Sequence, residues 1–448
     1  VLDDLAAFER ALHDGLGRAL LHLQRASDAE RTAVRAVVLD ACVRDTAFDA
    51  QLEGRTSVYL ADAAKLTGVW PDVRPHVLRA LDDLRDTTAQ FWDARQLVEL
   101  LKLLAFDGDE HAARELRARF RQAADADDQL VRFFGPALLD LRGLRILPEL
   151  LRDIGRALRR DAERVEDGEL LQDARGLFGE DVVNDLLRVH EHDEDVRAYL
   201  DRVEELAGRV TANSSERAAL DVSLAWARRE VERSRTFNPS LMRWGERAAD
   251  ADVAELARDL DVERDSGRLK AMLTVFLRRP FPRDPTRLIA LAEHDDSVVS
   301  YRAVRALGHL QHPDVRTLAL RLLRTPGREG DGAELLHGHV ELGDEDLLTD
   351  VASRASTWSP DERHAFVKNV TKLADAHPTS ALLTLLASLF ALQPCAACRA
   401  LLVRALAVHD ALPDWLREEA AWDASEELRA FVASLMHVDG HEDRPGEV

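Results

Sequence analysis

An almost entirely α-helical fold is what this sequence predicts, and three observations lead there. Leu, Ala, Arg, Asp and Glu dominate while aromatic residues make up only 5%, the usage of helix-rich chains. Strand formers seldom alternate with polar residues over more than a few positions, so no β-sheet is needed. From end to end the pattern is helix, short polar break, helix. The hydrophobic fraction of 46% is ample for a continuous core and excludes wholesale disorder. At 448 residues the chain can hold two or three globular units or one elongated array.

The elements follow in order. Residues 2–25 read as one amphipathic helix, without the basic leader, apolar core and cleavage site of a signal peptide. Ser27 and Asp28 supply an N-cap for a second helix to about 44. After the polar stretch DTAFDAQLEGRTS, helices are expected at about 58–65, 71–84 and 92–105, the last closed by the turn Phe106-Asp107-Gly108-Asp109. A charged helix covers about 110–123, and further helices about 129–141, 147–165, 169–177, 182–189, 194–208 and 215–235. Breaks at 124–128 and at Phe237-Asn238-Pro239 divide the chain into an N-terminal region (1–125), a middle region (126–238) and a last third (239–436). Residues 437–448 form a polar, acidic tail expected to fray.

Charge and cysteine usage set further bounds. Asp plus Glu total 82 against 60 Lys plus Arg, a formal net charge of -22 that disfavours non-specific attraction to phosphate backbones or anionic lipid. The only lysines are Lys65, Lys102, Lys270, Lys368 and Lys372. That Arg bias, with Val1 where a GTG start codon would be translated, points to a GC-rich bacterial genome. The most apolar stretch, 380–392, is shorter than the ~20 residues a membrane span needs, so it reads as a buried helix. Three cysteines without an export signal fit a reducing cytoplasm.

The clearest internal signal is HDDSVVSYRAVRALGHLQHPDVRTLALRLL, residues 294–323. Asp295 and Asp296 cap a first helix whose Val299, Ala303, Ala306, Leu307 and Leu310 recur at helical spacing. Gly308 is a small residue near that helix's end, where a turn or close approach is easy. Pro313 starts a second helix with Val315, Leu318, Ala319 and Leu322 facing inward. This unit resembles a HEAT repeat of the phycobilisome-lyase-like bacterial class. Weaker copies flank it at a period of about 35 to 40 residues, which makes 239–436 a HEAT-like repeat array. The resemblance implies an α-solenoid, a superhelix of stacked antiparallel helix pairs of the HEAT or ARM kind. One unit alone matches closely, under a tenth of the chain.

Candidate chemistry is sparse. Cys395-Ala396-Ala397-Cys398 opens a helix behind Pro394, where the helix dipole lowers thiol pKa values. With His437 and His441 the two thiols could make a tetrahedral zinc set, with His409 nearer in sequence. A redox pair lacks its βαβ context, and simple packing in the core is the third alternative, as it is for Cys42. The run 189–195 is dense in His and acid, but neighbours at one- and two-residue spacing do not share a helix face, so it reads as a solvated turn. The connection holding Asp49, Gln51, Glu53 and Arg55 could be a recognition surface or an ordinary capped turn. A basic ridge, Arg268, Lys270, Arg278, Arg279, Arg283 and Arg287 with Phe281 in a Pro-bounded turn, could meet phosphate or an acidic partner, or pair internally. No phosphate loop, nucleophile elbow or His-Glu-x-x-His motif occurs, and no catalytic set, cofactor site or firm metal site is assigned.

The sequence therefore predicts a non-enzymatic scaffold or adaptor. Its expected partner is a protein or peptide, of acidic character if the ridge is the contact. One alternative is a nucleic-acid-binding HEAT protein similar in fold to the alkylpurine DNA glycosylases, although no basic stripe with paired Trp and Asp is found. The other is an accessory subunit of an enzyme, as among lyase-type HEAT proteins.

Overall fold

The computed structural model describes residues 4–53, 56–84, 90–126, 129–161, 168–217, 223–234 and 236–439. Within them every regular element is helical: 27 α-helices and four short 3-10 turns, with no strand. None of the described helices is long and apolar enough to cross a membrane. Two compact units divide the chain, one formed by Val1–Glu216 with Arg417–Val448 and the other by Arg217–Leu416. The expected seam at 124–128 falls inside the first unit and that at 237–239 inside the second.

The first unit is built around the Phe91–Phe106 helix. Ala94, Leu97, Val98, Leu100, Leu101 and Leu104 on that helix are buried, because Trp70–Asp83, Glu110–Ala126 and Val131–Arg142 all pack against it. Its polar residues are satisfied inside the packing. The Gln96 amide donates to the carbonyls of Ala41 (2.9 Å) and Arg44 (2.7 Å), closing the C-terminal end of the Arg35–Val43 helix. The buried Lys102 ammonium lies 2.8 Å from Glu99 and 2.7 Å from Asp140. The single helix expected over 2–25 is instead two, Leu5–His13 and Gly17–Arg25. Gly15, at a φ of 68°, makes the turn between them. The first helices and the segment from Arg417 meet in this unit: the Ala424 N–H donates to the Gly15 carbonyl at 2.8 Å. A Cβ on Gly17 would stand 1.8 Å from the Glu419 carbonyl oxygen, so only glycine fits that approach.

In the second unit alternate helices lie against one another. Ser266–Thr274, Ser297–Leu307, Glu329–Leu336, Pro360–Ala376 and Ala396–Val408 each pack on the next, forming one row. Thr286–Leu291 packs on Pro313–Leu322, and Asp344–Ala352 on Ser380–Leu389. The boundaries have local causes. Asp296 accepts from the N–H groups of Val298 (3.0 Å) and Val299 (3.3 Å), Pro313 occupies the first turn of its helix, and Ser359 with Glu362 forms a capping box. Val299, Ala303, Ala306, Leu307, Val315, Leu318, Ala319 and Leu322 are all buried, as their spacing predicts, whereas Leu310 is only half-buried because the helix ends at Leu307 and leaves it in the following turn. Trp244, Phe276, Phe366 and Phe390 are fully buried among the aliphatic side chains.

Candidate functional site

The basic ridge is engaged residue by residue within its own unit. Arg268 donates through Nε to Glu263 Oε2 (2.6 Å) and through Nη2 to Oε1 (3.0 Å). Lys270 pairs with Asp296 (2.6 Å), Arg278 with Glu246 (3.3 Å) and Arg283 with Asp261 (2.9 Å). Arg279 donates to the carbonyls of Gly245 (2.5 Å) and Ala248 (2.8 Å) and pairs with Asp250. Arg287 donates to the carbonyls of Leu260 (3.1 Å) and Glu263 (2.6 Å). Phe281 is buried, its ring edge-on to Phe276 with centroids 5.0 Å apart. The Arg268 guanidinium, helped by the N–H groups of Asp265 and Arg264, holds the Glu263 carboxyl down to about 2.

The loop at 49–55 is knitted locally. Glu53 is buried and accepts from the Asp49 N–H (2.9 Å), Asp49 accepts from the Leu52 N–H (3.3 Å), and Gln51 stands exposed. Arg55 lies outside the described residues. In the His- and acid-rich run, Asp193 receives Arg152 at 2.5 Å and accepts from the N–H groups of Asp195 (3.1 Å) and Val196 (3.2 Å). Those bonds hold its carboxyl below the usual range and start the Glu194–Arg217 helix.

The cysteine pair stands differently. Cys395 is the N-cap residue of the Ala396–Val408 helix, and Cys398 lies in its first turn, three residues on and on the same side. Cys395 is buried and Cys398 half-buried. Across from them, on the Pro360–Ala376 helix, comes His364, and the ligand atoms of the three residues all lie within 4.8 Å of one another. The turn carrying the thiols is fixed from beneath. The Gln393 side-chain oxygen accepts from the Cys395 N–H (3.1 Å), while the fully buried Arg399 donates to the carbonyls of Gln393 (3.0 Å) and Pro394 (3.1 Å). The hydrogen bond with Cys398 and then burial push the Cys395 thiol up, opposed by its bond with His364. Lys372, two helical turns beyond His364, has its ammonium pulled down by burial and by Lys368, an effect Cys398 opposes. Of the histidines expected beside the thiols, His409 lies instead 3.8 Å from Asp375. The side chain of His437 and all of His441 lie outside the described residues.

An open cleft of about 540 Å³ in the first unit has no counterpart among the sequence expectations. Phe91, Trp92, Phe133 and Leu177 line it, with Arg95 and Arg132 among its charged groups. The Phe91 ring packs edge-on to Trp92 (4.9 Å) and Phe133 (4.7 Å), and the Arg95 guanidinium lies over the Trp92 ring at 5.4 Å. Leu177 is 53% exposed beside them. The doublets Phe91-Trp92 and Phe133-Phe134, in a chain so poor in aromatics, were the available signal. Among known proteins no family model, no curated protein and no solved structure matches the chain.

Proposed function

We propose that this protein is a non-enzymatic scaffold of stacked HEAT-like helix pairs that binds a protein or peptide partner, with the partner's anchor in the cleft of the first unit. The cleft at Phe91, Trp92, Phe133 and Leu177 carries the reading, because it combines exposed apolar surface with Trp and Arg, the residue types that dominate binding energy at protein interfaces. The row of successively packed helices in the second unit supports the repeat assignment. Every cation of the basic ridge already has an acid or carbonyl partner at home, so the ridge adds little free charge for an acidic or phosphorylated ligand. The mixed charges of the cleft, Arg95 and Arg132 with Glu99, Asp140 and Asp173, suit an amphipathic segment more than a polyanion. A bacterial cytoplasm, where the free cysteines stay reduced, is the compartment this reading assumes.

The test is affinity purification of the tagged full chain from its source cells, with retained protein and nucleic acid both analysed. A protein recovered near stoichiometry, independent of nuclease treatment, supports the scaffold. Retention of nucleic acid alone, weakening steeply with salt, contradicts it.

A further inference from the structure

We propose that Cys395, Cys398 and His364 bind one zinc ion, through two thiolate sulfurs and one imidazole nitrogen, with the fourth tetrahedral position left to solvent. Their ligand atoms lie within 4.8 Å of one another, and among the described residues no other group of three His, Cys, Asp or Glu side chains comes so close. Tetrahedral zinc, with Zn–S about 2.3 Å and Zn–N about 2.0 Å, needs ligand atoms roughly 3.5 to 3.8 Å apart. Small side-chain rotations therefore close the site, and no backbone movement is required.

The donor set selects the metal class. Two sulfurs and an imidazole suit zinc and are poor ligands for magnesium or calcium, which take oxygen. Three features of this turn stabilise the thiolates that zinc needs, against the Cys398 hydrogen bond and the burial that keep the metal-free Cys395 thiol protonated. Both sulfurs sit at the N-terminal end of a 13-residue helix, where the peptide dipoles point positive charge at them. The buried Arg399 guanidinium is tied into the same turn, and the Lys372 ammonium interacts with Cys398 from the facing helix. The Gln393 carboxamide orients the Cys395 backbone as an outer shell.

On binding, each thiol loses its proton to the buffer and its sulfur donates a lone pair to zinc, while neutral His364 donates a nitrogen lone pair. Two protons leave for each zinc bound. The ion then ties the Pro360–Ala376 helix to the Ala396–Val408 helix. Three protein ligands with one open place is the arrangement of zinc sites that hold a water or an exogenous ligand.

The test uses the full chain purified without chelators in a phosphine reductant, so that a disulfide cannot form. Metal content is measured by plasma mass spectrometry, and cobalt(II) is added to the metal-free protein as a spectroscopic probe. About one equivalent of zinc is expected, with an intense tetrahedral cobalt spectrum carrying a thiolate charge-transfer band. His364→Ala should weaken zinc at least about tenfold. Cys395→Ser with Cys398→Ser should abolish it, and added zinc should raise the melting temperature of the wild type only. Should a variant fail to fold, as far-UV circular dichroism would show, the wild-type cobalt spectrum decides alone. A weak octahedral spectrum, or zinc retained by the folded double variant, overturns the assignment.

Discussion

Arg18 and Glu419, 401 positions apart in sequence, face each other through two hydrogen bonds, Nε to Oε1 at 2.6 Å and Nη2 to Oε2 at 2.9 Å. Glu419 is buried at this contact, and its carbonyl oxygen crowds Gly17 on the same turn. The segment after Arg417 is thus a structural part of the first unit.

Arg18→Ala should cost about 1 to 3 kcal/mol, because it leaves a buried carboxylate without its bidentate partner. Gly17→Ala should cost at least as much, since the new Cβ must displace backbone. Truncation before Arg417 should melt the N-terminal helices earlier than the intact chain. Chemical denaturation reads all three, and unchanged midpoints would refute the docking.

Acid titration tests Glu263. Its carboxyl is held at about 2 against an ordinary 4.5, so the folded state binds the proton less readily than the unfolded chain. The stability it contributes is therefore complete above about 4.5 and disappears as the pH falls toward 2. Glu263→Gln should melt below the wild type at neutral pH, and the gap should shrink across that window. A gap independent of pH would show that Arg268 does not govern this carboxyl.

The ridge arginines should behave as parts of the fold. Arg279→Glu with Arg283→Glu should lower stability by about 1 to 3 kcal/mol, through the two carbonyl bonds and two ion pairs they make. Arg278→Glu, at a largely exposed side chain, should stay within about 0.5 kcal/mol of wild type. Thermal melting separates the two outcomes.

What the sequence disclosed and what it withheld follow from the range of each interaction. Helix starts at Ser27, Asp296 and Pro313 were legible because a cap acts within three residues. The turn at Gly15 was not, because apolar spacing continues on both sides and only the φ of 68° interrupts it. Phe281, between two prolines, read as a turn residue, and only packing against Phe276 decides that it is inside. His364 lies 31 residues before Cys395 on a different helix, so no motif spacing announces it. The ridge's partners Glu246, Asp250 and Asp261 come from earlier helices, and local charge patterning does not reveal such pairings. Residues 294–323 resemble a HEAT repeat by sequence alone, and the buried faces of their two helices agree with the apolar spacing except at Leu310, which lies past the helix end and is half-buried.

The scaffold account stands or falls on the cleft. The decisive measurement is quantitative affinity purification of the tagged full chain, comparing wild type with Trp92→Ala and Leu177→Asp under equal loading. Both variants should keep the wild-type circular dichroism, since Leu177 is exposed and Trp92 lies at the cleft surface. The account predicts a protein recovered near stoichiometry by the wild type and reduced at least about tenfold by each variant, as loss of an interface anchor demands. Equal recovery of the same proteins by all three chains would contradict it.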